Sequence, residues 1–283
     1  PANYLRARRL VRGRLREGPY DLVHAHFGQA GLAVIPSRLP LVVTLYGSDV
    51  EGIVGPRGSY TVRGAILSRL SRVVARLADE VIVVSSSLGR RLPRNVSTTV
   101  IPTAVDLEVF RPGSREQARA ELGLDPDKTL VLFAGRPEVP VKRYDVARRA
   151  VDRLAETHPA ELVTIAGLPP SGVATHMRAC DALLLTSRHE GAPTMIKEAL
   201  AVRLPVVSVD VGDVRATIGD VPGCVVAQDS IEALSGSLAE VVGKRIDPGI
   251  DLTDRLDQSR QAEKIVDVYR RALRGVGGRA TTR

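Results

Sequence analysis

The 283-residue sequence lacks any long apolar run. No stretch reaches the roughly 18 apolar residues that a membrane-spanning helix needs, and the first residues carry no apolar segment of a signal peptide. The two cysteines, Cys180 and Cys224, lie in apolar surroundings without metal-ligand spacing, which predicts buried, reduced thiols. We therefore expect a cytoplasmic chain without a metal site at its cysteines. It starts with Pro1 rather than Met, so we also expect an N-terminal part to be missing.

Aromatic residues and lysine are both scarce. The chain has six Tyr, three Phe and no Trp, and although its net charge is +8, most of its 40 basic residues are Arg. Basic segments interleaved with aromatic residues are absent, which disfavours a nucleic-acid partner. Guanidinium groups bind oxyanions through paired hydrogen bonds. The composition therefore favours phosphorylated small molecules or anionic lipid as partners.

Short apolar strands alternate with helices along the whole chain. This alternation predicts an α/β fold with parallel sheets, in two Rossmann-like domains. The predicted domains are residues 1–108 and residues 109–283, and the second ends in a helix at about 254–275. Parallel sheets of this kind bind ligands in the crevice at the carboxyl ends of their strands. The predicted strands are 21–28, 40–49, 80–87, 98–106, 129–137, 161–167, 181–187, 204–213 and 223–227.

The segment RHEGAPTMIKEALA follows one of these strands and continues as a helix. Its apolar spacing predicts a helix that starts at Pro193 or Thr194, where free N–H groups favour an anion. Gly191 permits close approach of a ligand to the backbone. Glu190 and Glu198 would flank the anion and accept hydrogen bonds from hydroxyl groups. On spacing alone, the alternative that both are capping or surface residues stays open.

A second basic segment, FAGRPEVPVKR, follows the strand that opens the second domain. It places Gly135, Arg136 and Lys142 on a loop at the carboxyl end of that strand. Two cations facing a helix N-terminus would clamp a diphosphate. The alternative is a solvated basic turn, and that is the prediction for Arg143.

These two segments resemble the family 4 glycosyltransferases of the GT-B fold. The family pattern is Gly-Arg, a Lys a few residues later, and then E-G-x-P-x-x-x-x-E-A. The stretches DLVHAHFG, TLYGSD, VIVVSSSL and VIPTAVDLEVF resemble the family in the same order. The resemblance covers most of residues 20–240. It implies a retaining transfer from a UDP- or GDP-linked sugar, with no metal and no cofactor. The donor would be bound between two domains and held mostly by the second.

The resemblance also implies a role for each matching residue. Arg136 and Lys142 would hold the diphosphate and balance the charge of the leaving group. Glu198 would bind the ribose hydroxyls, and Glu190 the hydroxyls near C3 and C4 of the donor sugar. Neither glutamate is expected to act as a nucleophile. The backbone that would reach sugar or phosphate belongs to Gly191, Ala192, Pro193 and Thr194.

Three departures from the family pattern affect the first domain. Tyr46 stands where the family commonly has a His that approaches the donor sugar, and His26 is the nearest alternative residue or else a structural histidine. The usual PNGVD reads PTAVD at 102–106. The initial strand and Gly-rich loop are not matched, so we expect the N-terminal domain to be incomplete.

Two surface features and the rival functions complete the expectations. The helix predicted at 3–17 has an apolar face of Leu5, Leu10, Val11 and Leu15, and Arg elsewhere. Together with the arginines of a helix at 61–79, this helix would form either a solvated surface or a peripheral contact with the inner face of an anionic membrane.

The acceptor is unknown. The rival functions are a truncated, non-catalytic nucleotide-sugar binder, an epimerase or hydrolase of the same fold, and a nucleic-acid-binding protein.

Overall fold

The computed structural model describes residues 2–55, 59–252, 256 and 258–280. The chain divides into two compact units, each built on its own parallel sheet. Unit 1 comprises the residues up to Gly55, Ser59–Thr103 and the last helix from Ser259 onward, and unit 2 comprises Ala104–Gln258. The predicted α/β fold with two parallel-sheet domains is confirmed.

Unit 1 has the strand order β1-β2-β3-β4, with every pair parallel. The predicted strand 40–49 ends at Leu45, because the N–H groups of Tyr46 and Gly47 bond the carboxylate of Asp49 and not a neighbouring strand. The elements of unit 1, labelled in chain order, are α1 Ala2–Glu17, β1 Val23–His26, α2 Gly28–Val34, β2 Leu41–Leu45, α3 Ser48–Glu51, α4 Val62–Leu77, β3 Glu80–Val83, α5 Ser86–Gly89, β4 Thr99–Val100 and α12 Gln258–Ala280.

Helix α12 belongs to unit 1, so the prediction that placed the C-terminal helix in the second domain is wrong. Val268 and Ala272 of α12 are buried against Val42 of β2 and Ile82 of β3, and this apolar contact decides the assignment. The units divide at Thr103 and not at the predicted residue 108. The predicted helix start at residue 254 lies outside the described residues.

Helix α1 forms as predicted, and an arginine side chain connects it to α2. The guanidinium of Arg8 donates to the carbonyl oxygens of Leu32 and Ile35, at 2.6 and 2.7 Å. This satisfies backbone acceptors at the C-terminal end of α2, which helices leave without intrahelical partners. Of the four residues on the predicted apolar face, Leu5 and Leu10 are exposed, whereas Val11 and Leu15 are half-buried.

Unit 2 has the strand order β6-β5-β7-β8-β9, again entirely parallel. Apolar clusters lie on both faces of the sheet, as parallel sheets require. Helix α11 was not predicted from the sequence, and its first turn is capped by the Ser230 side chain. The elements are α6 Arg115–Leu122, β5 Thr129–Ala134, a 3₁₀ turn Pro140–Lys142, α7 Tyr144–Leu154, β6 Ala160–Ile165, α8 Pro170–Ala179, β7 Ala182–Leu185, α9 Thr194–Ala201, β8 Val206–Val209, α10 Val214–Ile218, β9 Val225–Ala227 and α11 Ile231–Val241.

A buried carboxylate joins the first helix of unit 2 to its sheet. Asp181, directly before β7, accepts hydrogen bonds of 2.7 Å from Arg115, from Arg119 and from the backbone N–H of Leu130. Arg119 and Asp181 are both almost fully buried. Each charge therefore depends on the other for the solvation that water would otherwise supply.

We expect Asp181→Ala to lower the free energy of unfolding of unit 2 by about 3–5 kcal/mol, because it leaves the Arg119 guanidinium buried without its carboxylate. Urea unfolding followed by circular dichroism measures this loss. The matched control is Asp152→Ala, which removes an exposed partner of Arg148 on α7 and should leave the unfolding midpoint unchanged. Equal midpoints for the two variants would contradict the prediction.

Candidate functional site

Two loops of unit 2 meet at the carboxyl ends of neighbouring strands. One follows β5 and the other follows β7, and these strands pair directly. The buried hydroxyl of Thr186 bonds the carbonyl oxygens of Lys142 and Arg143, at 2.9 and 3.1 Å. The N–H of Arg188 donates to the carbonyl oxygen of Val141 at 2.9 Å. The two segments singled out in the sequence therefore form one joined surface.

An ion pair lies at the centre of this surface. The ammonium of Lys142 is 2.6 Å from a carboxylate oxygen of Glu190, and their side chains are 31% and 16% exposed. The stem of Lys142 crosses Gly135, where an added Cβ would lie 3.4 Å from Lys142 Cγ. The pair is thus half-buried and positioned by both loops.

Helix α9 begins beside this ion pair. It starts at Thr194, as predicted, with Pro193 at the N-cap position and no side-chain hydrogen bond to the first turn. The N–H groups of a first turn lack intrahelical partners, and the helix dipole favours an anion there. Gly191 and Ala192 are half-buried, whereas Thr194 is exposed. The predicted backbone segment therefore directly follows Glu190, the partner of Lys142, and leads into a first helical turn without a side-chain cap.

Charged groups are also buried within and beneath α9. Burial raises the pKa of Glu198, which is half-buried in this helix. Burial lowers the pKa of Lys197, an effect that the carboxylate of Asp213 opposes, and burial raises the pKa of Asp213 itself. Sequence reasoning missed Lys197, whose only signal was a charge on the apolar face of the helix. Asp213 lies at the N-cap position of α10 without a side-chain capping bond.

A close backbone contact fixes the loop that carries Glu190. Gly212 has a φ of 60°, and a Cβ added there would lie 2.5 Å from the carbonyl oxygen of Gly191 and 2.7 Å from that of Glu190. Only glycine combines this φ with such an approach. The loop after β8 therefore supports the loop after β7 from one side.

The other two cations considered in unit 2, Arg136 and Arg143, differ in exposure and in pairing. Arg136 is exposed on the loop after β5. Arg143 forms an ion pair of 2.7 Å with Asp229, and its own side chain is 15% exposed. The prediction that Arg143 belongs to a solvated turn is wrong, because its side chain is mostly buried and paired with Asp229.

Unit 1 carries a ring cluster at the carboxyl end of its own sheet. The Nδ1 atom of His26 lies 2.6 Å from the hydroxyl of Tyr46, and His26 stacks on His24 with a centroid distance of 4.3 Å. His24 contacts Thr44 and the hydroxyl of Tyr269, each at 2.7 Å. Burial lowers the pKa of His24 to about 4, and His26 acts in the same direction. The two predicted residues, His26 and Tyr46, are thus direct hydrogen-bond partners, and His26 stacks on a neutral His24.

Asp49 is a residue of this cluster that sequence reasoning missed. Its carboxylate is fully buried and accepts hydrogen bonds from the N–H groups of Gly28, Tyr46 and Gly47, at 2.9 to 3.1 Å. Burial raises the pKa of Tyr46, and Asp49 acts in the same direction. The signal was an Asp two residues after a glycine at a strand end, a position typical of a side chain that bonds local backbone.

The part of the chain that the structure describes contains no group of three His, Cys, Asp or Glu side chains able to hold a metal ion. None of its helices is long and apolar enough to cross a membrane. Cys180 is buried and Cys224 half-buried, and both are free thiols.

Comparison with known families matches both halves of the chain. Residues 1–109 match the family described as Glycosyltransferase Family 4, and residues 160–244 match the family described as Glycosyl transferases group 1. The D-inositol 3-phosphate glycosyltransferase of Saccharomonospora viridis is 30% identical, over 93% of this chain and 73% of that protein. TuaC of Bacillus subtilis strain 168, named as a teichuronic acid biosynthesis glycosyltransferase, is 30% identical over 80% of this chain, which spans 62% of the length of TuaC.

Solved structures share the fold at low sequence identity. Sucrose-phosphate synthase from Thermosynechococcus elongatus matches with a TM-score of 0.65 and 19% identity, over 78% of this chain and 64% of that one. HepE from Anabaena, in complex with UDP and glucose, matches with a TM-score of 0.64 and 17% identity, over 88% of this chain and 77% of that one.

We expect Gly212→Ala to destabilise unit 2 by clearly more than left-handed backbone strain alone, because the new methyl group would collide with the loop at Gly191. Gly123→Ala is the matched control: its φ is 65° and no atom lies within 4 Å of an added Cβ. The control should cost about 1–2 kcal/mol. Thermal unfolding of both variants measures the difference, and equal melting temperatures would refute the close contact.

We expect Glu198→Gln to stabilise the unliganded chain at neutral pH. The folded-state pKa of Glu198 is raised, so the ionised carboxylate destabilises the fold at neutral pH, and this cost disappears as protonation becomes complete in both states. The melting-temperature gain over wild type should therefore shrink as the pH falls through the raised folded pKa and vanish below the ordinary value of 4.5. Thermal unfolding across this range tests the sign, and a gain that grows on acidification would contradict it.

Proposed function

The chain belongs to the GT-B glycosyltransferases, and we propose that it transfers a sugar from a nucleoside-diphosphate sugar to a hydroxyl group of an acceptor, with retention of configuration. The observation that carries this proposal is the Lys142–Glu190 ion pair beside the uncapped first turn of α9. These groups offer a cation and N–H donors to phosphate, together with a carboxylate acceptor for hydroxyls. That combination matches the two chemical ends of a nucleotide sugar.

The cations of the proposed site act on the leaving group. When the bond between the anomeric carbon and the phosphate oxygen breaks, its electron pair passes to the nucleoside diphosphate. Lys142, Arg136 and the first turn of α9 stabilise that negative charge, because fixed donors in a half-buried site need little rearrangement during the reaction. We assign the charge balance to these groups and propose that no metal ion is required.

The two glutamates hold the sugar rings at opposite ends of the donor. Glu198 accepts hydrogen bonds from the ribose hydroxyls, and Glu190 accepts them from the transferred sugar. Because Glu190 already accepts a hydrogen bond from Lys142, it is a weak nucleophile. Its role here is to orient the transferred sugar. The raised pKa of Glu198 fits a carboxylate that gains hydrogen-bond donors when the ribose binds.

Within unit 1, we propose that His26 and Tyr46 contact a hydroxyl group of a substrate. Their mutual hydrogen bond leaves the Nε2 atom of His26 available to a sugar hydroxyl or to the acceptor. The donor base is uracil or guanine, and the acceptor is a hydroxyl of a glycan, a lipid-linked carrier or a small molecule. The names of the relatives, which include teichuronic acid biosynthesis, support a cell-envelope acceptor.

We expect calorimetric titration of the chain with UDP, GDP and ADP to detect binding of one of the three. Lys142→Ala should weaken that binding by about tenfold or more and leave binding of the corresponding nucleoside unchanged, because the ammonium contacts only phosphate. The matched control is Lys128→Ala, which breaks the exposed 2.8 Å pair with Glu161 on the same unit and should change neither affinity.

The outcomes separate the proposal from its rivals. Equal loss of nucleoside and diphosphate affinity in Lys142→Ala would overturn the phosphate assignment. Retained diphosphate binding without sugar transfer to any acceptor, in the presence or absence of a chelator, would favour a non-catalytic donor-binding homologue. Transfer abolished by the chelator would overturn the metal-independent part alone.

A further inference from the structure

A cavity of about 610 Å³ opens in unit 1, between the C-terminal half of α1 and the C-terminal end of α2. Its third wall is the segment 36–39, so the cavity lies at the amino end of β2. The ring cluster of His26 and Tyr46 lies at the carboxyl end of the same sheet. The five residues of β2 separate these two ends by about 15 Å, at about 3.3 Å per residue. The cavity, called the α1–α2 cavity below, is lined by Arg12, Leu15, Arg16, Val34, Pro36, Ser37, Arg38 and Leu39.

Hydrogen bonds within the chain fix two walls of the α1–α2 cavity. The guanidinium of Arg12 donates to the carbonyl oxygens of Ile35 and Pro36, both at 3.3 Å. The hydroxyl of Ser37 accepts a hydrogen bond from the N–H of Leu39 at 3.0 Å and donates one to its carbonyl oxygen at 2.8 Å. Helix α1 is thus tied to the segment after α2, and that segment is held in a local turn. The cavity is therefore a preformed feature of the fold, as most small-molecule sites are.

The charges that line the cavity have one sign only. Three guanidinium groups border it, and Arg16 and Arg38 are exposed, whereas Arg12 is half-buried. Within the described part of the chain, the lining contains no Asp, Glu or His, and neither Arg16 nor Arg38 forms an ion pair with another side chain. The dipole of α1 favours a cation in its last turn, which explains Arg16. It does not explain Arg38, which lies between α2 and β2 and outside any helix.

Apolar side chains form much of the remaining lining. Leu15 and Leu39 are half-buried, and Val34 is almost fully buried. A guanidinium donates two parallel hydrogen bonds to neighbouring phosphate oxygens. A phosphate monoester has three free oxygens and nearly two negative charges at neutral pH, so it can engage more than one guanidinium, whereas a carboxylate offers two oxygens and one charge. The cavity volume also lies in the range of small-molecule sites, about 300–1,000 Å³.

We infer that the α1–α2 cavity binds a small, soluble phosphate monoester. Its phosphate lies between Arg16 and Arg38, and its organic part lies against Leu15 and Leu39. The position at the amino end of β2 separates this ligand from the ring cluster at the carboxyl end of the sheet, so the inference does not depend on the proposed sugar transfer. The bound ligand connects α1 to the segment before β2 and therefore stabilises unit 1.

Calorimetric titration with phenyl phosphate in lipid-free buffer tests this site. Arg16→Gln with Arg38→Gln should weaken binding by about tenfold or more, because the variant removes two of the three guanidinium groups. The matched control is Arg6→Gln with Arg9→Gln, which removes the same charge from exposed positions of α1. The control should weaken binding by about twofold at most, through long-range attraction alone.

Two further ligands test the chemistry of the cavity. Inorganic phosphate should bind roughly tenfold more weakly than phenyl phosphate, since it has no apolar part for Leu15 and Leu39 to contact. Benzenesulfonate has the same ring and three oxygens but only one charge, and it should also bind more weakly. The affinity for phenyl phosphate should rise as the ligand loses its second proton at about pH 6. The affinity for benzenesulfonate should stay constant there, because arginine does not titrate in this range.

Three results would overturn the inference. The first is no binding of phenyl phosphate, including the case in which the same arginines bind phosphatidate vesicles and so belong to a lipid site. The second is an equal loss of binding in the Arg6→Gln with Arg9→Gln control, which would mean attraction by net charge. The third is a loss in Lys142→Ala but not in Arg16→Gln with Arg38→Gln, which would place the ligand on unit 2 and leave the proposed function intact. Circular dichroism of each variant checks that these exposed substitutions preserve the fold.

Discussion

The candidate site of unit 2 depends on one buried hydroxyl. Thr186 follows β7 and bonds the carbonyl oxygens of Lys142 and Arg143, which lie on the loop after β5. Parallel pairing brings the ends of the two strands to one edge, but it does not fix the loops beyond them. The Thr186 contact does so, and it brings Lys142 within 2.6 Å of Glu190. Lys142 and Thr186, which are 44 residues apart in sequence, are thus held in a fixed local geometry, as a site for a charged ligand requires.

The same site keeps several charges away from water. Lys197, Glu198 and Asp213 all have pKa values displaced towards their neutral forms by burial. Such groups lower the stability of the unliganded fold and are common where a protein binds a charged or polar ligand. Gly212 lets the loop after β8 approach the backbone of Glu190 and Gly191 closely. Stability and ligand recognition therefore conflict in one small region, whereas the strands beneath it are mostly apolar, with the buried hydroxyl of Ser208 bonded to the carbonyl oxygen of Val209.

Sequence reasoning predicted most strands, because continuous apolar runs such as Leu41–Leu45 and Ala182–Leu185 are buried on both faces. It also predicted the start of α9, from Pro193. It could not predict the Lys142–Glu190 contact from physics alone. That contact requires β5 to lie next to β7, and the local periodicity of a sequence does not determine the order of strands in a sheet. The prediction of which domain contains α12 failed for the same reason. A helix with an apolar face fits any core, and only the tertiary structure selects the one that contains Val42 and Ile82.

Helices α1 and α4 show a different limit of the sequence. Periodicity separates the two faces of a helix, but it does not say which face turns inward. In α4 the decision follows from distance. Gly64 approaches the backbone of Ile53 so closely that no side chain fits between them, and the buried face consists of small residues and Val74. In α1 it follows from hydrogen bonding, because Arg8 satisfies carbonyl oxygens at the end of α2 that a leucine would leave unpaired. Packing constraints within unit 1 therefore leave aliphatic residues of both helices exposed beside arginines.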